Sequence, residues 1–190
     1  MMKQAEPTKE RIIKAANTLF YQRGYTHTSF SDIVKSTGLS KGNITYHFKS
    51  KDDILHAVIK SRLQKTQHTL AALDNDFSSG KERLDKFITN LLGGKTELSR
   101  YGCPNGTLAS ELSKNKDFPS EFNRSIFEEM RVWLGQQFQD ITKSSQKDAD
   151  SMAMDLLMRA QGICVFSAAY QDETLFETEI QKLHQWIKSL

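Results

Sequence analysis

The sequence predicts an all-α fold on three observations. Only three prolines and ten glycines punctuate its 190 residues. Apolar residues recur at i, i+3, i+4 and i+7 along almost the whole chain, the spacing of a helix with one buried face. The period-two alternation of strands is scarce. A hydrophobic content of 38% suffices for a full core, in one domain or in a small domain joined to a larger one.

The elements follow in order. Thr8 is placed to cap a first helix with Ile12, Ala15, Ala16, Leu19 and Phe20 on one face, and Gly24 suits a left-handed stop. Ser29 with Asp32 three residues on reads as a capping box that starts a second helix through Ile33 and Val34, ended by Gly38. Ser40 caps a third helix over residues 41–48, and Ser50 with Asp53 caps a fourth running to about Leu73. Residues 74–80 read as a loop, and a helix over residues 81–98 turns Leu84, Phe87, Ile88, Leu91 and Leu92 inward. A break with Gly102 and Pro104 precedes a short helix over residues 106–113. A long amphipathic helix covers 118–141, starting near Pro119, and another covers 148–170, nearly apolar from Gly162 onward. The last helix spans 174–190. This makes nine helices without internal repeats: a head at residues 1–50 and a larger body at residues 51–190.

Charge separates the two parts. Residues 1–60 hold ten Lys and Arg against five Asp and Glu, a net +5, whereas the remainder nets −2. A basic head on a slightly acidic body fits an anionic polymer as partner of the head. Cys103 and Cys164 form no CxxC pair, which argues against a disulfide framework and against a zinc site. The first ten residues lack an apolar h-region, so they do not read as a signal peptide, and no run approaches the ~18 apolar residues of a membrane span. A cytoplasmic protein away from membranes is the expectation. No nucleophile elbow, HExxH, P-loop or dinucleotide fingerprint is present, so catalytic residues, metal and cofactor are all expected to be absent. Asp52 and Asp53 suit the positive end of a helix dipole better than an acid–base pair.

Residues 29–51 carry the functional signal. Two short helices flank the turn Thr37-Gly38-Leu39-Ser40, with Gly where the chain must turn and Leu39 to anchor it. The second of these helices has only Ile44 and Phe48 as inward positions, spaced i, i+4, and leaves Lys41, Asn43 and Thr45 outward. A helix presented this way enters the DNA major groove. Lys41 donates to guanine acceptors and Asn43 bonds adenine bidentately, while Gly42 lets the backbone approach closely. Ser29, Ser40, Thr45, Tyr46 and Lys51 suit phosphate contacts, which fix register, and the helix N-terminus near Lys51 adds a positive dipole end. His47 fits either packing against the bundle or a phosphate contact.

The segments Thr28-Ser29-Phe30-Ser31-Asp32-Ile33, Gly38-Leu39-Ser40-Lys41-Gly42-Asn43-Ile44 and Tyr46-His47-Phe48-Lys49-Ser50-Lys51, with Leu55, Phe20 and Gly24, resemble the N-terminal domain of TetR-type transcriptional regulators over residues 8–58. The family usually has Tyr where this chain has Thr45, which bears on particular operator contacts rather than on class. The resemblance implies a three-helix DNA-binding head, a helical ligand-binding and dimerisation body, and a homodimer formed by the last two helices. Gly162, Ala168 and Ala169 permit close helix approach, and Val165, Phe166, Leu175, Phe176, Ile180, Leu183, Trp186 and Ile187 supply apolar surface. It also implies a small-molecule site in the body, for which Phe87, Leu91, Tyr101, Leu108, Phe127, Met130, Trp133, Leu134, Met158 and Phe166 are the candidate lining.

Cys103 joins that candidate set. The stretch Gly102-Cys103-Pro104-Asn105-Gly106 resembles a subgroup of these regulators, some of which respond to electrophiles or oxidants, and a cysteine at a helix N-terminus gains reactivity. Two readings stand: a thiol sensor with Arg100 beside it, or a small hydrophobe packing the turn. Cys164 reads as buried and inert. The expected function is a dimeric repressor of double-stranded DNA, released from a palindromic operator by a small apolar or thiol-reactive effector. An accessory DNA-binding protein without a sensor, or an all-helical enzyme, are the alternatives.

Overall fold

In a computed structural model, residues 7–114 and 120–190 are described, those at 120–123 by backbone alone. Among the described residues there are ten helices and no strand: α1 (Thr8–Arg23), α2 (Phe30–Thr37), α3 (Lys41–His47), α4 (Lys51–Asp76), α5 (Gly80–Leu92), α6 (Lys95–Tyr101), α7 (Pro104–Leu112), α8 (Ser120–Thr142), α9 (Gln146–Tyr170) and α10 (Glu173–Lys188). The all-α expectation holds, with a helix-turn-helix head and a larger helical body.

The serine caps fall where the sequence puts them. Ser29 and Ser50 form complete capping boxes with Asp32 and Asp53, and Ser40 accepts from the Asn43 N–H. Gly38 takes the left-handed conformation, with φ 64° and ψ 15°, that ends α2. Other expectations change. Thr8 is the first helical residue and makes no side-chain cap, because Pro7 holds the N-cap position. The helix expected over 81–98 is two helices, parted at Gly93-Gly94; two consecutive residues of poor helix propensity let the chain redirect there. The count therefore rises from nine to ten. The next helix starts at Pro104, whose fixed φ suits a first helical position, with Cys103 as N-cap. The expected start near Phe118 and Pro119 lies outside the described residues.

Two hydrophobic cores form. In the head, Ile12, Ala16, Leu19, Phe20, Ile33, Ile44 and Phe48 pack with Ile54, Leu55, Val58 and Ile59, and are joined by Leu108, Leu112 and Ile126. In the body, Leu70 and Leu73 pack with Leu84, Ile88, Leu134, Phe138, Leu156, Phe176, Ile180 and Ile187. Helix α4 contributes to both cores, its N-terminal half to the first and its C-terminal half to the second. Within the body, α8 and α9 lie against one another, and α10 packs on α5, α6 and α9. An 18-residue stretch of α9 has mean hydropathy 1.2, the length and composition of a membrane span. Here one side of that helix, from Ala149 through Leu156 and Cys164 to Ser167, is buried in the bundle.

Leu55 is fully buried beneath the helix-turn-helix. Leu55→Ala is expected to lower unfolding free energy by about 2–5 kcal/mol, measured by denaturant titration followed by circular dichroism.

Candidate nucleic-acid interface

Helix α3 divides its seven residues between packing and solvent. Ile44 is fully buried and Phe48, just beyond, is nearly so, as their i, i+4 spacing requires. Lys41, Gly42, Asn43, Tyr46 and His47 are exposed, and Tyr46 reaches 79%. An aromatic so exposed on a helix this short is free to meet a partner. His47 is exposed and stands edge-on to Tyr46 at 5.1 Å on this outer surface.

The unit is held from below. Arg11 of α1 donates to the Thr37 carbonyl, immediately before the Gly38 turn. Thr37 donates to the Val34 carbonyl at 2.9 Å and accepts from Leu39 N–H at 3.3 Å, which knots the turn. Ser29 and Ser40 spend a side-chain oxygen on their helix caps. The Thr45 hydroxyl donates back to the carbonyls of Lys41 and Gly42 at 2.9 and 3.1 Å, which leaves only its acceptor side for another group. Lys51 turns inward: its ammonium donates to the Tyr25 carbonyl at 2.9 Å and lies 4.0 Å from the centre of the Tyr25 ring. The Lys51 ammonium is thus engaged within the head, and the α4 N-terminus beside it is capped by Ser50, which accepts from the Asp53 N–H at 3.0 Å. Asp53 accepts from the N–H groups of Lys49 and Ser50, and Asp52 accepts from the Tyr25 hydroxyl, so neither carboxylate forms an acid–base pair.

The body's candidate lining does not converge on one cavity. Phe87 and Trp133 pair at 5.8 Å against the body core, with Leu91 and Met130 packed beside that core. The Trp133 indole N–H reaches the Asp74 carboxylate at 3.0 Å. Leu134 is core, and Leu108 belongs to the head core. Tyr101 meets Tyr21 edge-on at 5.5 Å. Cys103 and Phe127 share a cavity of about 550 Å³ between α7, α8 and α9, with Gln161, Val165 and Glu111 in its wall. Met158 and Phe166 are 61% and 62% exposed on the outer side of α9, so in a single chain they line no interior. Periodicity marked them apolar without saying which neighbour covers them.

Polar groups absent from the sequence reading tie head to body. The Tyr21 hydroxyl contacts the carbonyls of Glu97 and Gly102 at 2.9 and 2.8 Å. Arg62 of α4 donates to Asn17 at 2.7 Å and to the Pro104 carbonyl, beside Cys103. Burial pulls Arg62 down to about 10 even with Cys103 and Tyr21 near it, so the guanidinium stays charged. Arg100, the expected neighbour of Cys103, instead lies over the Tyr101 ring. Burial also pushes the Cys164 thiol up to about 12, with Cys103 a secondary cause. No signal in the sequence marks Tyr21, Arg62 or Glu111, because each partner lies more than forty positions away.

Comparison with known proteins places this geometry. Residues 12–58 match the family model of bacterial regulatory proteins of the tetR family. An uncharacterized HTH-type transcriptional regulator in the lacX 3' region of Lactococcus lactis subsp. lactis is 29% identical over 93% of this chain and 91% of its own. The HTH-type transcriptional regulator TtgR of Pseudomonas putida is 32% identical over a shorter stretch, 38% of this chain and 35% of that one. Among solved structures, a TetR transcriptional regulator from Legionella pneumophila superposes with a TM-score of 0.83 at 27% identity, covering 96% of this chain and 98% of that one. These relatives are transcriptional regulators, not enzymes.

Cys103 is partly exposed and Cys164 buried. In the native protein Cys164 is expected to react with a maleimide or disulfide reagent at least roughly a thousand times more slowly than a free thiol. Mass mapping after timed labelling checks this, and Cys103 is expected to label first.

Proposed function

We propose that this chain is a TetR-family DNA-binding transcriptional regulator, with a reading head and a helical body, that acts as a homodimeric repressor of a palindromic operator. The observation that carries the reading is α3 itself, a capped seven-residue helix anchored by Ile44 with Lys41, Asn43 and Tyr46 exposed. In this proposal Lys41 and Asn43 read base edges and Gly42 gives backbone access. Ser29, Ser40, Thr45, Tyr46 and His47 meet phosphates, and Lys51 serves through the α4 N-terminus. The working division is residues 1–50 as head and 51–190 as body, and the place of work is the cytoplasm, beside the operator DNA.

The partner surface proposed is the outer side of α9 with α10. Met154, Met158, Val165, Phe166 and Tyr170 are exposed along one helix, an unusual apolar stripe for a surface in contact with water. A Cβ on Gly162 would meet nothing within 4 Å, so a second helix has room to approach there. The neighbouring groove between α9 and α10, about 770 Å³, continues the same surface through Ile163, Phe166 and Leu175.

Release is assigned to a small apolar or thiol-reactive effector in the cavity shared by Cys103 and Phe127. Its wall combines apolar groups with the Gln161 amide and the Cys103 thiol, the pattern of a small-molecule site. The remaining candidates, Phe87, Leu91, Tyr101, Leu108, Met130, Trp133, Met158 and Phe166, serve in this proposal as the packing that shapes the body around it.

Selection of bound duplexes from a random pool is expected to return a two-half-site palindrome. Asn43→Ala and Lys41→Ala are each expected to reduce discrimination at one base pair per half-site by about 1–3 kcal/mol. Unchanged specificity in both variants overturns the assignment of α3. Phe166→Glu is expected to convert a dimer to a monomer in sedimentation equilibrium, with the helical circular dichroism of the monomer retained.

A further inference from the structure

The α1–α2 connection is fastened by a side chain from the body. Glu111, on α7, places one carboxylate oxygen 2.8 Å from the Tyr25 N–H and the other 2.6 Å from the Thr26 N–H. Both backbone groups therefore donate to a single carboxylate from more than eighty residues away. This connection leads directly into α2 and the helix-turn-helix. Gly24 begins it at φ 85°, and a Cβ there would stand 3.2 Å from the same carboxylate. Glycine suits this backbone angle, and a Cβ here would crowd the Glu111 carboxylate. Burial acts to raise the Glu111 carboxyl, but the bonds from Thr26 and Tyr25, with His27 nearby, hold it below the usual carboxylate range. It is therefore ionised at neutral pH, and charge-assisted bonds to backbone N–H groups are among the stronger ones.

Glu111 has a second face. It also stands in the wall of the 550 Å³ cavity with Cys103, Phe127 and Gln161. One residue thus touches both the candidate effector space and the chain entering the reading head.

We propose that Glu111 is a positioning residue for DNA reading: its grip on the Tyr25–Thr26 backbone fixes the angle of the α2–α3 unit on the body. In a dimer that angle sets the separation of the two α3 helices, and so the spacing of half-sites the protein accepts. The inference rests on the proposed dimeric reading of a palindrome. Glu111 touches no DNA in this scheme; it acts through the backbone that carries α2. A shift of the α7 wall on effector binding would pass to the head through this bond.

The test uses the full chain and duplexes in which two half-sites selected by the wild type are separated by one base pair fewer, the selected number, or one and two more. A duplex with a single half-site serves as reference. Glu111→Ala is expected to keep single-half-site affinity within about twofold, since the α3 contacts are intact. Its preference for the selected spacing is expected to fall by about tenfold or more, since two charge-assisted hydrogen bonds are lost. Glu111→Gln keeps the length and one acceptor oxygen and is expected to fall between the two. Circular dichroism and sedimentation of both variants establish folding and dimerisation, and Glu111→Gln carries the test if Glu111→Ala does not fold. Wild-type spacing preference in the folded variants overturns the inference. So does an equal loss on single and paired half-sites, which marks a general weakening of the head. A wild-type chain that selects no paired half-sites overturns the dimeric reading itself, and this inference with it.

Discussion

Helix α4 belongs to two hydrophobic cores at once, and the placement of every functional group depends on that. Its 26 residues make a rod of about 39 Å. Ile54, Leu55, Val58 and Ile59 sit in the head core and Leu70 and Leu73 in the body core. Its start is pinned by the Ser50–Asp53 capping box, one residue beyond the strand-like exit from α3. A tilt of α3 is therefore coupled to α4, and α4 cannot move without disturbing Leu70 and Leu73. Apolar packing alone would leave the relative twist of head and body loosely set, because burial is non-directional. The polar contacts at the junction supply direction: Tyr21 on Gly102, Arg62 on Pro104, and Glu111 on Tyr25 and Thr26. All three meet the segment between α6 and the end of α7. That segment combines bonds to the head with a wall in the cavity holding Cys103.

How much of this was legible in the sequence follows from the range of the interaction concerned. Serine caps act over three residues, so Ser29, Ser40 and Ser50 could be read directly. The turn at Gly38 and the inward pair Ile44 and Phe48 are likewise local. The break at Gly93-Gly94 leaves no mark in the periodicity because the apolar spacing continues across it from Leu91 to Leu98, i to i+7, and periodicity registers faces better than interruptions. The start of α1 lies one residue earlier than the Thr8 signal implies, because Pro7 takes the cap. The candidate pocket scattered for a different reason. An aromatic or Met residue at helical spacing signals an apolar face without saying what covers it: Trp133 is covered by its own core, whereas Phe166 is left exposed. The tertiary polar contacts had no sequence signature, since Glu111 and Arg62 look like any charged residue on a helix surface.

The two surfaces left exposed, one on the head and one on the body, make physical sense together. A seven-residue helix is about 10 Å long and would span only a few base pairs, with Lys41 and Asn43 exposed at its start. The Thr45 hydroxyl is already shared with its own helix, which leaves less of α3 for DNA than a longer side chain there would give. One such head adds little specificity over the general attraction of a basic surface for phosphate. Two heads at fixed separation multiply that discrimination, provided the separation is rigid. The exposed stripe from Met154 to Tyr170 is the contact proposed between chains, and the bonded junction ties head to body within each. On this view the demand for a second copy comes from the shortness of α3, and the demand for a firm junction comes from the second copy. Loosening the junction is then the mildest way to turn such a device off, because it leaves every base contact in place and removes only their common geometry.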